Sequence, residues 1–160
     1  MIEHKGNFTQ NELAFVESLD ECFLSLFFAE GTVEKTGGYV RYDVCVGRSG
    51  NLGLLTLQFC VRDNEDLAAD FSDFVHISHI YVPHKYRRRG VATRIIFVMS
   101  YVATKKVGID LYVACLTNHL WKEALICAGG TIDDDGDIQI FYEPFMEYFK
   151  DKLIYPNYLT

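Results

Sequence analysis

A run of basic residues ends in a glycine at the point where a helical pattern begins. The stretch VPHKYRRRGVATR covers residues 82 to 94, and the apolar pattern after Gly90 predicts a helix to about Lys106. A helix N-terminus carries partial positive charge, so arginines there are unfavourable unless an anion binds between them. Unpaired backbone N–H groups at such an end bind phosphate, and a glycine lets the anion approach. The stretch therefore predicts a strand, a diphosphate-binding turn and a helix.

The overall charge limits what this basic run can bind. The chain has 160 residues and a formal net charge of -7. Nucleic-acid affinity comes largely from phosphate neutralisation, so we expect no nucleic-acid partner. The basic run alone also fits an exposed loop that forms salt bridges with the acidic surface. Composition leaves both interpretations open.

The cysteines and the N-terminus indicate the compartment. The chain has five cysteines within apolar runs and no CxxC pair, which predicts buried free thiols in a reducing cytosol. The first ten residues, MIEHKGNFTQ, lack the apolar core of a signal peptide. The longest apolar run, residues 95–102, is far shorter than the roughly 18 residues that a membrane span needs. We expect a cytoplasmic protein that does not contact a membrane.

The remaining pattern predicts one α/β domain with a mixed sheet over residues 1–160. Thr9 and Glu12 have the spacing of a capping box, which predicts a helix that continues to Gly31. Pro83 should end the strand that is predicted over residues 74–82. Asn118 should cap a later helix, and Asp135-Gly136 should form a hairpin turn. The further predicted elements are a hairpin over 39–62, strands over 74–82 and 109–116, a helix over 118–130, a hairpin over 131–144 and an amphipathic helix over 145–153.

The turn also carries a family signature. Arg87, Gly90 and Ala92 have the R/Q-x-x-G-x-G/A spacing of an acetyl-CoA-binding motif, and the run HIYVPHKYRRRGVATRII resembles the GCN5-related N-acetyltransferases, or GNAT superfamily. The resemblance implies a central, mostly antiparallel sheet that is splayed at the cofactor-binding strand and flanked by helices. It also implies acetyl transfer from acetyl-CoA to a primary amine of a small molecule or a protein, with no metal.

The resemblance assigns most of the cofactor site to one turn. The strand before the turn should pair with the pantetheine arm, around Ile80, Tyr81 and Val82. Arg87 belongs to the signature itself, and Asn118 matches an asparagine that contacts the cofactor arm or is a plain helix cap. The residues expected at the pyrophosphate are Arg88, Arg89, Gly90, Val91 and Ala92 through their backbone N–H groups, and Thr93 through its hydroxyl.

The resemblance also indicates a catalytic base. Many family members have a glutamate eleven residues before the arginine position, and His76 occupies that position here. A histidine titrates near neutral pH and can accept a proton directly or through water, and Ser78 could orient that water. The alternative is a packed or surface histidine. Strand alternation places His76 on one face with Ser78, Ile80 and Val82.

A histidine cluster does not indicate a metal site. Strand alternation places His76 and His79 on opposite faces, and His84 lies too far along the chain to join either. The sequence therefore predicts no metal ligands.

The helix after Asn118 departs from the family pattern. The family often has N-x-x-A-x-x-x-Y-x-x-x-G, whose tyrosine protonates the coenzyme A thiolate, and Leu125 occupies the tyrosine position here. Tyr142 on the last strand, or Tyr155 or Tyr158 in the tail, could substitute. The departure leaves a second hypothesis, a catalytically silent acyl-CoA-binding domain that acts as a sensor or binds a partner.

The sequence does not identify the amine acceptor. The resemblance implies that the N-terminal helices and the last hairpin frame the acceptor site. These segments are aromatic and carry several carboxylates, which fit either attraction of a cationic amine or ordinary turn chemistry. The aromatic tail either packs on its own domain or makes a homodimer contact. The carboxylates are those of Asp133, Asp134, Asp135 and Asp137 and of the loop over 63–73.

Overall fold

Eight strands form one mixed sheet, with four helices packed against it, in a computed structural model that describes residues 2–27, 30–46, 53–62, 73–87, 90–114 and 118–153. A short 3-10 turn covers His84–Tyr86, and α2 continues as a π-helical turn over Val102–Val107. The elements are β1 (Ile2–Lys5), α1 (Gln10–Phe27), β2 (Glu30–Thr36), β3 (Tyr39–Val46), β4 (Gly53–Arg62), β5 (Phe74–Tyr81), α2 (Val91–Tyr101), β6 (Asp110–Val113), α3 (His119–Cys127), β7 (Thr131–Ile132), β8 (Ile138–Ile140) and α4 (Tyr142–Leu153).

The strand order confirms the predicted mixed α/β class. The strands lie in the order β1-β2-β3-β4-β5-β6-β8-β7. Neighbours β2 to β5 are antiparallel, as are β6, β8 and β7. Only β1 with β2 and β5 with β6 are parallel among the described strands. The sheet is therefore mostly antiparallel, and its one internal parallel pair joins β5 to β6.

Helices α1 and α2 cover one face of the sheet. The capping box forms as predicted, since the Thr9 N–H donates to Glu12 Oε1 at 2.9 Å and the Glu12 N–H donates to Thr9 Oγ1 at 3.2 Å. Helix α2 is buried on several sides, as its apolar pattern predicted. The ring of Phe15 on α1 lies 5.4 Å from that of Phe59 on β4. Fully buried core residues include Leu19, Tyr42, Leu57, Ile95, Ile96 and Met99.

Two predicted boundaries are wrong. Helix α1 ends at Phe27, and Gly31 lies in β2, where a Cβ would come 2.1 Å from the carbonyl oxygen of Asp43. This glycine is required for close strand packing and does not stop the helix. The last strand ends at Ile140, and Tyr142 begins α4, because Pro144 fits the first turn of a helix, where its missing N–H is not needed. Neither β1 nor β2 was predicted.

Candidate active site

Strand β5 separates from β6 halfway along its length. The two strands pair over Phe74–Ile77, and the last bond runs from the Ala114 N–H to the Ile77 carbonyl at 2.8 Å. Beyond it, residues 79–81 pair only with β4 among the described strands. Within the described residues, no strand meets the other edge of this segment. The sheet is thus splayed at β5, as predicted, and a row of backbone polar groups faces the gap.

Helix α2 begins beside this gap without a capping side chain. Gly90 precedes the helix with φ 80° and ψ 13°, a left-handed conformation that favours glycine. Apart from its chain neighbours and the backbone of α2, no atom of the described residues lies within 4 Å of the point where a Cβ would stand. The first helical bond runs from the Arg94 N–H to the Gly90 carbonyl at 3.0 Å. The N–H groups of the residues between them therefore have no acceptor within the helix.

Helix α3 begins across the gap and is capped. The Trp121 N–H donates to Asn118 Oδ1 at 3.2 Å, so the predicted N-cap is confirmed. Leu120 is 80% exposed, an unusual state for a leucine in a helix of a folded domain. Leu120 and Trp121 both face the same groove as β5 and α2. The first turn of α3 therefore supplies an apolar wall.

These three elements enclose one groove with a cavity of about 1080 Å³. Its lining combines the open edge of β5, the start of α2 and the start of α3. The lining residues are Ile77, Ser78, His79, Ile80, Tyr81, Val82, Tyr86, Arg87, Gly90, Val91, Ala92, Thr93, Val113, Ala114, Asn118, Leu120 and Trp121. Of the thirteen candidate site residues, ten line the groove; His76 does not, and Arg88 and Arg89 lie outside the described residues.

Arg87 holds the turn against the end of β5. Its Nε donates to the Val82 carbonyl at 2.9 Å, and its guanidinium carbon lies 5.3 Å from the centre of the Tyr81 ring. A guanidinium can donate a hydrogen bond in its plane while its face lies against an aromatic ring. Arg87 therefore shapes the turn as well as lining the groove.

A β-bulge corrects the predicted facing of the strand. His79 lies opposite Gln58 and Ile77 opposite Phe59, so Ser78 is an extra residue on β5. The bulge reverses the alternation after Ser78. His76 and His79 therefore share one face, although strand alternation placed them on opposite faces.

The same bulge separates His76 from the residues expected beside it. Ile80 lies opposite Leu57, which is fully buried, and both Ile80 and Val82 pack against the core. The prediction that His76 shares a face with Ile80 and Val82 is wrong, because one inserted residue shifts the alternation. Ser78 does line the groove, and its Oγ donates to the Gln58 carbonyl at 3.2 Å.

His76 lies just behind the groove between two polar partners. Its Nε2 is 3.1 Å from Asp137 Oδ2, and the thiol of Cys60 lies directly opposite on β4. The interaction with Cys60 raises the pKa of His76 above its ordinary value; burial opposes this effect, and Asp137 adds to it. The residue that follows it, Ile77, lines the groove.

The usual tyrosine has no replacement in the described part of the groove's α3 wall. Leu125 is fully buried and carries no proton to donate. Tyr142 lies in α4, lines a different cavity of about 510 Å³ and packs 5.8 Å from the rings of Phe97 and Tyr101. Its predicted place on the last strand was therefore wrong. Tyr155 and Tyr158 lie outside the described residues.

The acidic turn before β8 shows ordinary turn chemistry. Asp133 Oδ1 accepts the N–H groups of Asp135 and Asp137, each at 2.9 Å. Gly136 has φ 83°, which matches the predicted Asp-Gly turn. The acidic loop over 63–72 lies outside the described residues.

Sequence reasoning missed seven of the seventeen residues that line the groove: Ile77, His79, Tyr86, Val113, Ala114, Leu120 and Trp121. Tyr86, Leu120 and Trp121 carried a signal, since large apolar residues in a turn and at the start of a helix need a partner surface. His79 carried none, because no residue pattern marks the bulge. Among the described residues, no group of three or more His, Cys, Asp or Glu could hold a metal ion. No described helix is long and apolar enough to cross a membrane.

No protein-family model matches the sequence, and no curated protein matches it. Solved structures similar to the chain include a KacTA–DNA complex, with a TM-score of 0.48 and 16% identity over 84% of this chain and 86% of that chain. AtaTR bound with AcCoA has a TM-score of 0.49 and 14% identity over 70% and 73%. Arabidopsis thaliana NAA60 in complex with a bisubstrate analogue has a TM-score of 0.40 and 14% identity over 81% and 91%.

Proposed function

We propose that residues 1–160 form a single acetyltransferase domain that moves the acetyl group of acetyl-CoA to a primary amine. The observation that carries this proposal is the meeting of three features in one groove: the open edge of β5, the uncapped start of α2 and the capped start of α3. The Arg87-x-x-Gly90-x-Ala92 signature, similar to that of the GNAT superfamily, occupies this same place. Acetyl-CoA supplies an activated acetyl thioester.

The residues present fit a coenzyme A thioester. The open edge of β5 at Ile80, Tyr81 and Val82 offers backbone groups to an extended amide chain, as in strand addition. The start of α2 offers N–H groups where no side chain of Gly90 blocks an anion. The diphosphate-binding residues would be Arg87, Arg88, Arg89, Gly90, Val91, Ala92 and Thr93, with Asn118 at the pantetheine arm.

We assign the base to His76, acting through water across Ser78. Acetyl transfer requires the amine to lose a proton. A histidine with a raised pKa is a stronger base, but it needs a higher pH to be in its neutral, deprotonated form. Asp137 holds the imidazole from the side away from β4. The bulge leaves Ser78 outside the ladder register at the edge of the groove, where its hydroxyl can orient water.

A second candidate function is a silent acyl-CoA-binding domain. One observation favours it: Leu125 is fully buried at the position where a tyrosine would donate a proton. His76 also lies outside the groove lining. A domain of this kind would bind the thioester in the same groove and leave it intact.

We further propose that the acceptor is a small molecule or a protein and that neither a nucleic acid nor a membrane is a partner. The net charge of -7 supports this proposal, since it opposes binding to phosphate-rich surfaces. A cytoplasmic location fits the free cysteines among the described residues. A homodimer through the aromatic C-terminal region is a further proposal. No metal is required for the proposed chemistry.

Two measurements test the proposed function. Calorimetric titration with acetyl-CoA should show one site, and an excess of coenzyme A should compete for it. Release of free thiol from acetyl-CoA should then be followed across a panel of small amines and lysine peptides. Thiol release with at least one amine supports the enzyme, and binding without release supports the silent domain. No binding would exclude both.

The assignment of His76 as the base is tested with acetyl-CoA and an amine that supports thiol release. His76→Ala should lower the rate of thiol release and leave acetyl-CoA affinity unchanged, because His76 does not line the groove. His84→Ala is the control, since His84 is exposed and does not line the groove. Full activity in His76→Ala would remove the base from this proposal and leave the acetyltransferase.

A further inference from the structure

Three reactive side chains meet on the sheet face that α1 and α2 do not cover. Cys60 and His76 alternate along their strands with Phe59 and Ile77, which belong to the buried core beneath α1 and α2. Cys60 and His76 therefore point to the other face. Asp137 reaches them from the turn before β8. A thiol, an imidazole and a carboxylate thus come together from three separate segments.

The order of contacts is that of a nucleophile, a base and an orienting carboxylate. Cys60 lies directly opposite His76 in the ladder, so the thiol and the imidazole are cross-strand neighbours on one face of the sheet. His76 Nε2 lies 3.1 Å from Asp137 Oδ2, which places the ring proton on Nε2 and leaves Nδ1 basic. In nucleophilic enzymes this chain of contacts activates the first member through the second.

The carboxylate is itself held in place. The Asp137 N–H donates to Asp133 Oδ1 at 2.9 Å, and the Asp133 N–H donates to the Asp137 carbonyl at 2.9 Å. Gly136 closes the turn in a left-handed conformation. Asp137 is therefore presented to the imidazole by a rigid turn.

The charges around the thiol favour its ionised form. Burial alone would raise the pKa of Cys60, but the hydrogen bond and charge of His76 hold the pKa below its ordinary value, with help from Arg62 on the same strand. The bond with Cys60 in turn raises the pKa of His76. Both shifts act in the direction of a thiolate beside an imidazolium.

We propose that Cys60 is a nucleophilic thiol that accepts an acyl group from a thioester, with His76 as its base and Asp137 as the residue that positions the imidazole. The thiol proton passes to His76, and the Cys60 sulfur attacks the thioester carbonyl carbon. A new sulfur–carbon bond forms at Cys60, and the bond to the departing thiol breaks. The imidazolium returns its proton to that thiol, so one thioester replaces another with no oxidant or reductant.

Access to the thiol lies past the imidazole. Cys60 is 6% exposed, whereas the side chains of His76 and Asp137 are 25% and 22% exposed. Ile77 and Ser78, which follow His76, line the groove. Supply of acetyl-CoA at this position rests on the proposed function, but the reactivity of the thiol does not.

Acyl transfer to Cys60 is tested on the full chain with two thioesters. One is acetyl-CoA. The other is S-acetyl-N-acetylcysteamine, which has no diphosphate and therefore does not depend on the proposed diphosphate-binding turn at Gly90. After an acid quench and digestion, mass spectrometry measures hydroxylamine-sensitive acetyl groups on the Cys60 and Cys127 peptides. Cys127 is exposed, so it reports simple accessibility. Cys60 should be acetylated at least roughly tenfold faster than Cys127 at neutral pH.

Variants separate activation from structure. His76→Asn should remove the rate advantage of Cys60. Asp137→Asn should slow acetylation and move its rise to higher pH, because loss of the carboxylate weakens the imidazolium and raises the pKa of the thiol. Asp134→Asn, exposed on the same turn, should leave the rate and the pH profile unchanged. If Asp137→Asn does not fold, the comparison of His76→Asn with the unaltered chain decides.

The outcomes separate this proposal from the proposed function. Acetylation of Cys60 by the small thioester but not by acetyl-CoA supports the thiol and contradicts the cofactor groove. Acetyl-CoA binding without faster acetylation of Cys60 by either thioester overturns the thiol and leaves the groove. Equal rates in His76→Asn and the unaltered chain would also overturn it.

Discussion

Helices α1 and α2 begin in opposite ways. At the start of α1, Thr9 and Glu12 satisfy each other's backbone N–H groups, and Lys35 from β2 forms an ion pair with the same carboxylate. At the start of α2, Gly90 provides no side-chain cap, and the space above it is open. Both starts leave N–H groups to satisfy, but only α1 does so with its own side chains.

The difference separates a structural helix start from one suited to a ligand. The side chain of Glu12 is 2% exposed, so its charge is matched entirely by groups of the chain. The groups at Gly90 lie in a groove of about 1080 Å³ with an arginine at its edge. Changes at α1 should therefore alter stability, and changes at α2 should alter binding.

The largest effect should come from Glu12→Gln. Loss of this carboxylate leaves the Lys35 ammonium without its partner beside the core, and breaking a buried ion pair costs about 3 kcal/mol. Acetyl-CoA affinity should not change, because Glu12 does not line the groove. Chemical denaturation followed by circular dichroism measures the loss in the free energy of unfolding.

The pH dependence of stability sharpens this prediction. Burial alone would raise the pKa of Glu12, but the bonds with Lys35 and Thr9 hold it below its ordinary value of 4.5. A lowered pKa in the folded state contributes stability above that ordinary value, and the contribution is lost as the pH falls through the lowered pKa. Glu12→Gln should not show this loss of stability at low pH. Glu17→Gln, exposed on the same helix, should still show it. The same loss in Glu12→Gln as in the unaltered chain would contradict the role given to Glu12.

The next effect should come from Gly90→Ala, read against Gly108→Ala. The two glycines have φ 80° and 79°, and among the described residues no non-neighbouring atom lies within 4 Å of either Cβ position. Each alanine should therefore cost about 1 kcal/mol of stability from left-handed strain. Only Gly90→Ala should weaken acetyl-CoA binding, by about 2 kcal/mol or roughly thirtyfold, because its methyl group stands where the anion approaches. Calorimetry measures both variants.

Equal acetyl-CoA affinity in the two glycine variants would contradict the proposed difference between the starts of α1 and α2. It would mean that the open start of α2 is a feature of the fold without a bound anion. Equal loss of affinity in both would point to strain transmitted through α2, since Gly108 ends the same helix. Thermal unfolding of both variants checks that the strain is matched.

The two helix starts were predictable from sequence because each depends on residues close in the chain. The capping box needs only Thr9 and Glu12, and the glycine start needs only the turn before α2. Strand β5 and its stop at Pro83 were equally local. Strands β1 and β2 were not predicted, because their short, half-exposed patterns become strands only through pairing, β2 with β3 and β1 with β2.

The candidate catalytic cluster was beyond sequence reasoning for a related reason. The bulge at Ser78 depends on the register between β4 and β5. This one extra residue places His79 on the same face as His76. Cys60 and Asp137 lie 16 and 61 residues from His76 in the chain, so only the sheet brings them together. The turn at Gly90 depends on residues close in the chain, whereas the polar cluster is a product of topology.

The smallest effect should come from Asn118→Ser at the start of α3, which is intermediate between the two helix starts. Asn118 caps the helix as Thr9 caps α1, yet it also lines the groove as Gly90 does. Serine is an equally good cap, so the free energy of unfolding should change by only a few tenths of a kcal/mol. Serine lacks the amide NH2 donor, so acetyl-CoA binding should weaken by about 1 kcal/mol, roughly fivefold. Asn118→Ala should lose both properties, with about 1 kcal/mol of stability lost as well. Unchanged affinity in Asn118→Ser would make Asn118 a cap alone and would assign the start of α3 to the structural kind.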